Sequence, residues 1–152
     1  MASQDDRELT TTLRLGSQSE VSPTESALLE SYLSAASPDE KATLEEILNG
    51  ARDISMLIIF KGPAKGSRYL ITRGGATIGR SQESEIFLDD VTVSRSHAAI
   101  AFDDQKLSFS IADSSSLNGT YINGSIAEKT VLSHGDEVQI GKFHLLFIVG
   151  QK

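Results

Sequence analysis

Ser94-Arg95-Ser96-His97 sets two hydroxyls, a guanidinium and an imidazole within four residues. Three chemistries fit such a run: a serine nucleophile with a histidine base, a reader of phosphate, or the polar start of a strand. The first needs an orienting acid and an oxyanion hole, and Ser94 does not stand in a Gly-x-Ser-x-Gly elbow. The stretch "GGATIGR" has the look of a phosphate loop, but it lacks a Gly-Lys-Ser/Thr ending and no helix signal follows it. His97, His134 and His144 are dispersed, no carboxylate pattern accompanies them, and there is no cysteine. The expectation is therefore a chain that is not an enzyme and carries no metal or cofactor.

Other polar positions favour the second chemistry. Gly79-Arg80, Ser116-Leu117-Asn118-Gly119-Thr120 and Asn123-Gly124 all fall where loops are expected. A phosphate dianion is best held by a planar guanidinium fork and neutral donors, which Arg80, Ser94, Arg95 and Ser116 offer from three loops. Asn118 can both donate to and accept from a peptide backbone. Gly119 and Gly124 serve as permissive backbone positions in hairpin turns.

Loops of this kind need a frame that brings them together. From Ile54 onward, short β-branched and aromatic runs alternate with Gly, Asn, Asp or Ser. Strands are expected near 55–60, 68–72, 76–79, 85–88, 98–103, 107–112, 120–122, 130–132, 137–140 and 143–149. Ten to eleven short strands without long helices imply an all-β antiparallel sandwich, whose end loops converge.

Before that frame lie two other kinds of sequence. Residues 1–21 are polar and without aromatic residues, a composition that reads as a disordered tail. Ser22-Pro23-Thr24-Glu25 and Ser37-Pro38-Asp39-Glu40 are matching helix starts, each with a Ser cap, Pro in the first turn and Glu three residues on. Apolar residues follow at helical spacing, Leu28, Leu29, Tyr32 and Leu33, then Leu44, Ile47 and Leu48, with Asn49-Gly50 as a stop. The chain thus divides into a tail (1–21), a weakly folded helical hairpin or docking surface (22–50) and a β domain (51–152). Of the net charge of −7, all lies in residues 1–50, where ten acids face three bases, while the remainder is neutral. With no cluster of bases, nucleic acid is not an expected partner. The apolar runs 56–60 and 145–149 are far short of the roughly 20 residues of a membrane helix, and no secretory signal opens the chain. A cytoplasmic monomer, with no membrane partner, is the expectation.

The ordered set Gly79-Arg80, Ser94-x-x-His97 and Asn118-Gly119 resembles the forkhead-associated (FHA) domain, a phosphothreonine-binding β-sandwich. The resemblance covers residues 56–149. The segments "SEIFLDDVTVSRSHA", "SSLNGTYIN" and "GDEVQIGKF" are particularly similar to a group of small actinobacterial FHA regulators, the glycogen accumulation regulators and oxoglutarate dehydrogenase inhibitors. The resemblance implies that Arg80 and Ser94 grip the phosphate, that Arg95 adds a basic contact, and that Ser116 with the Leu117 backbone closes the pocket. It further implies that Asn118 orients the ligand strand and that Gly79, His97 and Gly119 support the loops from behind. Two departures bear on flanking preference: Ser96 stands where a second arginine is usual, and Ser81-Gln82 where His-Pro is usual.

In that group a threonine-rich N-terminal segment is phosphorylated by a Ser/Thr kinase and folds back on the FHA domain. Leu9-Thr10-Thr11-Thr12-Leu13 matches in part, with Thr10 and Thr11 as the acceptors. The implied function is inhibition of metabolic enzymes, 2-oxoglutarate dehydrogenase and glutamate-metabolising enzymes, switched off when the phosphorylated tail closes. The alternative is an adaptor that recruits a phosphorylated partner such as a kinase, without closure.

Overall fold

The computed structural model describes residues 23–152. The tail, with Thr10 and Thr11, and the Ser22 cap lie outside the described residues.

Two helices come first, α1 (Pro23–Ala35) and α2 (Pro38–Leu48). The second starts as its sequence dictates. Ser37 is extended, its Oγ accepts from the Glu40 N–H at 3.2 Å, and Glu40 Oε1 accepts from the Ser37 N–H at 2.8 Å. At its other end Asn49 stays right-handed and donates its N–H to Glu45 at 2.9 Å.

Eleven strands follow: β1 (Ser55–Lys61), β2 (Arg68–Ile71), β3 (Ala76–Gly79), β4 (Ile86–Phe87), β5 (Ala98–Asp103), β6 (Ser108–Asp113), β7 (Thr120–Ile122), β8 (Ser125–Ile126), β9 (Lys129–Val131), β10 (Glu137–Ile140) and β11 (Phe143–Val149). They form a six-stranded sheet ordered β2-β1-β11-β10-β7-β8 and a five-stranded sheet ordered β4-β3-β5-β6-β9. All pairings are antiparallel except β3 with β4, where Ile78 faces Ile86 in parallel register. The ten expected strands are present. The two-residue β8 is additional, too short to carry any alternation in sequence.

The apolar runs of β1 and β11 have a structural reason. Residues of a strand alternate between faces, and here both faces are covered. Leu57, Ile59, Leu145 and Phe147 enter the core between the sheets with Ile78, Phe109, Ile111 and Ile140. Met56, Ile58, Leu146 and Ile148 point outward and are capped by Leu44 and Ile47 of α2, with Leu28, Leu29, Tyr32 and Leu33 of α1 packed around them. The helical pair thereby closes a second apolar layer on the outer face of the sheet. Leu44 is only 1% exposed, and full burial of such a side chain stabilises by about 1.5–3 kcal/mol. Among the described residues no helix is long and apolar enough to cross a membrane.

The polar loops after β3, before β5, between β6 and β7, and between β10 and β11 all lie at one end of the sandwich. The far end carries Gly50 and the C-terminal residues, where the Gln151 N–H donates to the Leu48 carbonyl at 3.1 Å.

Candidate functional site

Three loops are stitched together by their own side chains. The Arg80 N–H donates to the Ser94 carbonyl at 2.9 Å, and its Nε donates to the Val93 carbonyl at 3.1 Å. Arg80 is exposed, so one edge of the guanidinium is anchored while the side chain stays at the surface. The Ser81 N–H donates to the Arg95 carbonyl at 3.2 Å, and Arg95 is exposed beside it. From the β6–β7 loop, the Leu117 N–H donates to Ser94 Oγ at 2.9 Å, and Asn118 Nδ2 donates to the Thr92 carbonyl at 2.9 Å. The Leu117 side chain is 89% exposed, which leaves its backbone as the part built into the cluster.

His97 sits behind these loops, wholly buried. Its Nδ1 accepts from the Ser94 N–H at 3.0 Å, and Nε2 faces the Gly119 carbonyl at 2.9 Å. Because Nδ1 accepts, Nε2 must carry the proton and donate, so the network fixes one neutral tautomer. The imidazole thus ties the loop before β5 to the loop before β7. It binds Ser94 through the backbone rather than the hydroxyl, an arrangement that does not make the pair a nucleophile and its base. Gly79 is needed for the same close approach, since a Cβ there would come within 2.1 Å of the Arg95 carbonyl. Gly119 has φ +85°, and a Cβ there would lie 2.9 Å from Ile126.

Ser116 is placed differently from the other hydroxyls. Its Oγ–H donates to Asp113 Oδ1 at 2.5 Å and its oxygen accepts from the Gly119 N–H at 2.9 Å. It shapes the loop that presents Leu117 and Asn118, with its hydrogen directed inward. Asp113, which the sequence analysis passed over, organises this loop: it also accepts from the Ser116 N–H at 2.9 Å and from Thr120 Oγ1 at 2.8 Å. Burial pushes the Asp113 carboxyl up, but the Ser116 hydroxyl and N–H and the Thr120 hydroxyl together hold it below its ordinary value.

Thr92 and Asp90 were likewise missed. Asp90 Oδ2 accepts from the Thr92 N–H at 2.9 Å and from its hydroxyl at 2.5 Å, which with nearby Lys142 lowers the Asp90 carboxyl. Thr92 Oγ1 in turn accepts from the Lys142 N–H at 3.1 Å, joining the β10–β11 turn to the cluster. Short Asp-x-Thr and Asp-x-x-Ser spacings, "DVT" and "DSSS", are the turn signals that mark both carboxylates in the sequence. His134 and His144 lie outside the cluster. The His144 Nδ1 pairs with Glu137 at 2.6 Å on the sheet surface, and His134 is at the far end. Asn123, expected only as a turn residue, has φ 51° and binds Asp136 at 2.9 Å.

Residues 76–141 match the FHA domain family. The oxoglutarate dehydrogenase inhibitor of Corynebacterium diphtheriae is 55% identical over 97 residues, 64% of this chain and 66% of that protein, so the match spans just under two thirds of that relative's length. The glycogen accumulation regulator GarA of Mycobacterium tuberculosis is 40% identical over 133 residues, 85% of this chain and 81% of that one. Among solved structures, one from a structural and functional analysis of phosphothreonine-dependent FHA domain interactions is similar with a TM-score of 0.59 at 28% identity, covering 65% of this chain and 99% of that one. Mycobacterium tuberculosis EmbR, solved in complex with a low-affinity phosphopeptide, is similar with a TM-score of 0.58 at 26% identity over 84% of this chain and 36% of that one.

Proposed function

Because the chain belongs to the FHA domain family, we propose that its loop cluster reads phosphothreonine and that the protein regulates metabolic enzymes, switched off when its own phosphorylated tail occupies the cluster. The observation that carries this reading is the convergence of Arg80, Ser94, the Leu117 backbone and Asn118 on one surface, braced by buried His97. In this reading Arg80 and Ser94 hold the phosphate and Arg95 adds charge from the neighbouring exposed position. Ser116 closes the pocket by fixing the loop. Asn118, its amide nitrogen held by Thr92, offers its oxygen to the ligand backbone. Support for the metabolic role comes from the relative that is an oxoglutarate dehydrogenase inhibitor. That enzyme and glutamate-metabolising enzymes are the proposed targets, with a Ser/Thr kinase acting on Thr10 or Thr11.

Reach permits the closure. With α1 beginning at Pro23, the link from Thr11 is twelve residues, which extends to about 40 Å. The helix itself is about 20 Å long. A phosphate brings close to two negative charges, and tethering at roughly millimolar effective concentration closes even a micromolar site. NMR of the kinase-treated full chain tests this: amides of Arg80, Ser94 and Leu117 should shift, independently of protein concentration. Unchanged resonances, or shifts lost on dilution, would reject closure. They would leave the adaptor reading, in which a separate phosphorylated partner fills the site.

A further inference from the structure

A largely apolar cavity lies outside the loop cluster. It measures about 370 Å³ and opens between α1 and the β1–β2 turn, with Leu28, Tyr32, Ala35, Phe60, Lys65 and Gly66 among its lining residues. The cavity adjoins the loop end. Gly62 of the same β1–β2 turn packs so closely on Lys142 that a Cβ would lie 2.2 Å from its carbonyl. Lys142 in turn is hydrogen-bonded to Thr92, whose carbonyl holds Asn118.

The chain preceding α1 is long enough to reach this cavity. Helix α1 runs from Pro23 to Ala35, and the cavity is lined from Leu28 to Ala36, about 8–20 Å along the helix from its first residue. A segment that leaves at Pro23 and turns back along α1 is within reach of that surface. Leu15 stands eight residues before Pro23, about 26 Å when extended. Leu13 and Leu15 are separated by one residue, so in an extended segment both side chains point to the same face while Arg14 points to the other. Thr11 then lies four residues beyond Leu15, about 13 Å further towards the loops.

We propose that this cavity is the seat of Leu13 and Leu15 when the tail closes, so that the switch has two anchors: a phosphate in the loop cluster and a pair of leucines between α1 and the β1–β2 turn. The inference rests on the reading that the phosphorylated tail occupies the cluster. The second anchor makes closure selective for this chain's own tail, because a free phosphothreonine peptide lacking the leucine pair engages only the loops. It also gives the helical pair a part in regulation, since α1 supplies one wall of the seat.

The test uses the full chain phosphorylated on its tail, with and without Leu13→Ser/Leu15→Ser. In the unsubstituted chain the amides of Leu28, Tyr32 and Phe60 should shift together with those of Ser94 and Leu117. In the doubly substituted chain the cavity shifts should vanish while the loop shifts persist, and a free phosphothreonine peptide should displace the tail at a concentration at least tenfold lower. The unmodified chains should bind that peptide equally; a difference there would place the leucines in the loop site and overturn the proposal. Loop shifts without cavity shifts would sink the leucine seat and leave closure standing. The absence of both would sink closure and the seat together. Cavity shifts that fade on dilution would assign the cavity to a second copy and overturn the proposal as well.

Discussion

At the loop end the buried and half-buried groups are polar: His97, Thr92, Asp113 and Ser116 each satisfy two or more backbone or side-chain partners, and the residues they present are exposed. On the helix-covered face of the six-stranded sheet, the contacts are almost wholly apolar, Leu44 and Ile47 against Met56, Ile58, Leu146 and Ile148. A surface that must offer donors to a ligand cannot bury them, so its geometry is fixed from beneath by hydrogen bonds whose net worth is small but whose loss is costly. A face with no such duty is held by burial, which is non-directional and scales with area. Under the proposed function, recognition and stability therefore rest on different regions of one small molecule.

Substitutions should break that separation in a graded way. Leu44→Ala should cost about 2–5 kcal/mol of unfolding free energy, read by urea denaturation, with the phosphothreonine affinity of the folded fraction unchanged. Equal loss of affinity would show that the two regions are coupled.

His97→Ala comes next and should affect both properties, because it strands the Ser94 N–H and the Gly119 carbonyl in a buried place. About 2–6 kcal/mol of stability should go at about 1–3 kcal/mol for each orphaned group, and peptide binding should weaken with it. Stability that holds while binding disappears would make His97 a direct ligand.

Arg80→Ala or Ser94→Ala should do the reverse of Leu44→Ala. Calorimetric binding of a phosphothreonine peptide should weaken by about 1.5–3 kcal/mol for each lost charge-assisted contact, with little change in the melting temperature. Undiminished binding in both variants would place the site elsewhere.

The mildest probe is acid. At the far end, burial holds the His134 imidazole below its ordinary value, with Asp136 opposing. The unfolded chain therefore takes up a proton first, so stability present above the usual histidine range, about pH 6.5, falls as pH drops through it. Asp113 is also depressed, and its contribution should be lost only below the usual carboxylate range, about pH 4. His134→Asn should flatten the first decline and Asp113→Asn the second in urea unfolding followed against pH. Should each substitution flatten the other's range, the assignment of the two ends is wrong.

Much of this is legible in the sequence, for particular reasons. The apolar runs of β1 and β11, the capping box at Ser37 and the glycine-punctuated spacing of Arg80, Ser94, His97 and Asn118 are local patterns, and local chemistry sets them. Other features have no local signature. The parallel β3–β4 pairing and two-residue β8 depend on neighbours distant in sequence. The inward donation of Ser116 to Asp113 depends on loop geometry. That α1 and α2 cap the outer side of β1 and β11 was hidden, because amphipathic spacing says a face will be buried without saying against what.

Periodicity and capping act over a few residues, so the sequence is enough to read ten of the strands, the ends of the second helix and the polar residues of the loops. Tertiary structure alone decided which hydroxyls point outward, which tautomer His97 adopts and where an apolar cavity opens beside α1. Each of these is a choice among partners brought together from tens of residues apart, and only the packed chain puts those partners within hydrogen-bond or van der Waals reach.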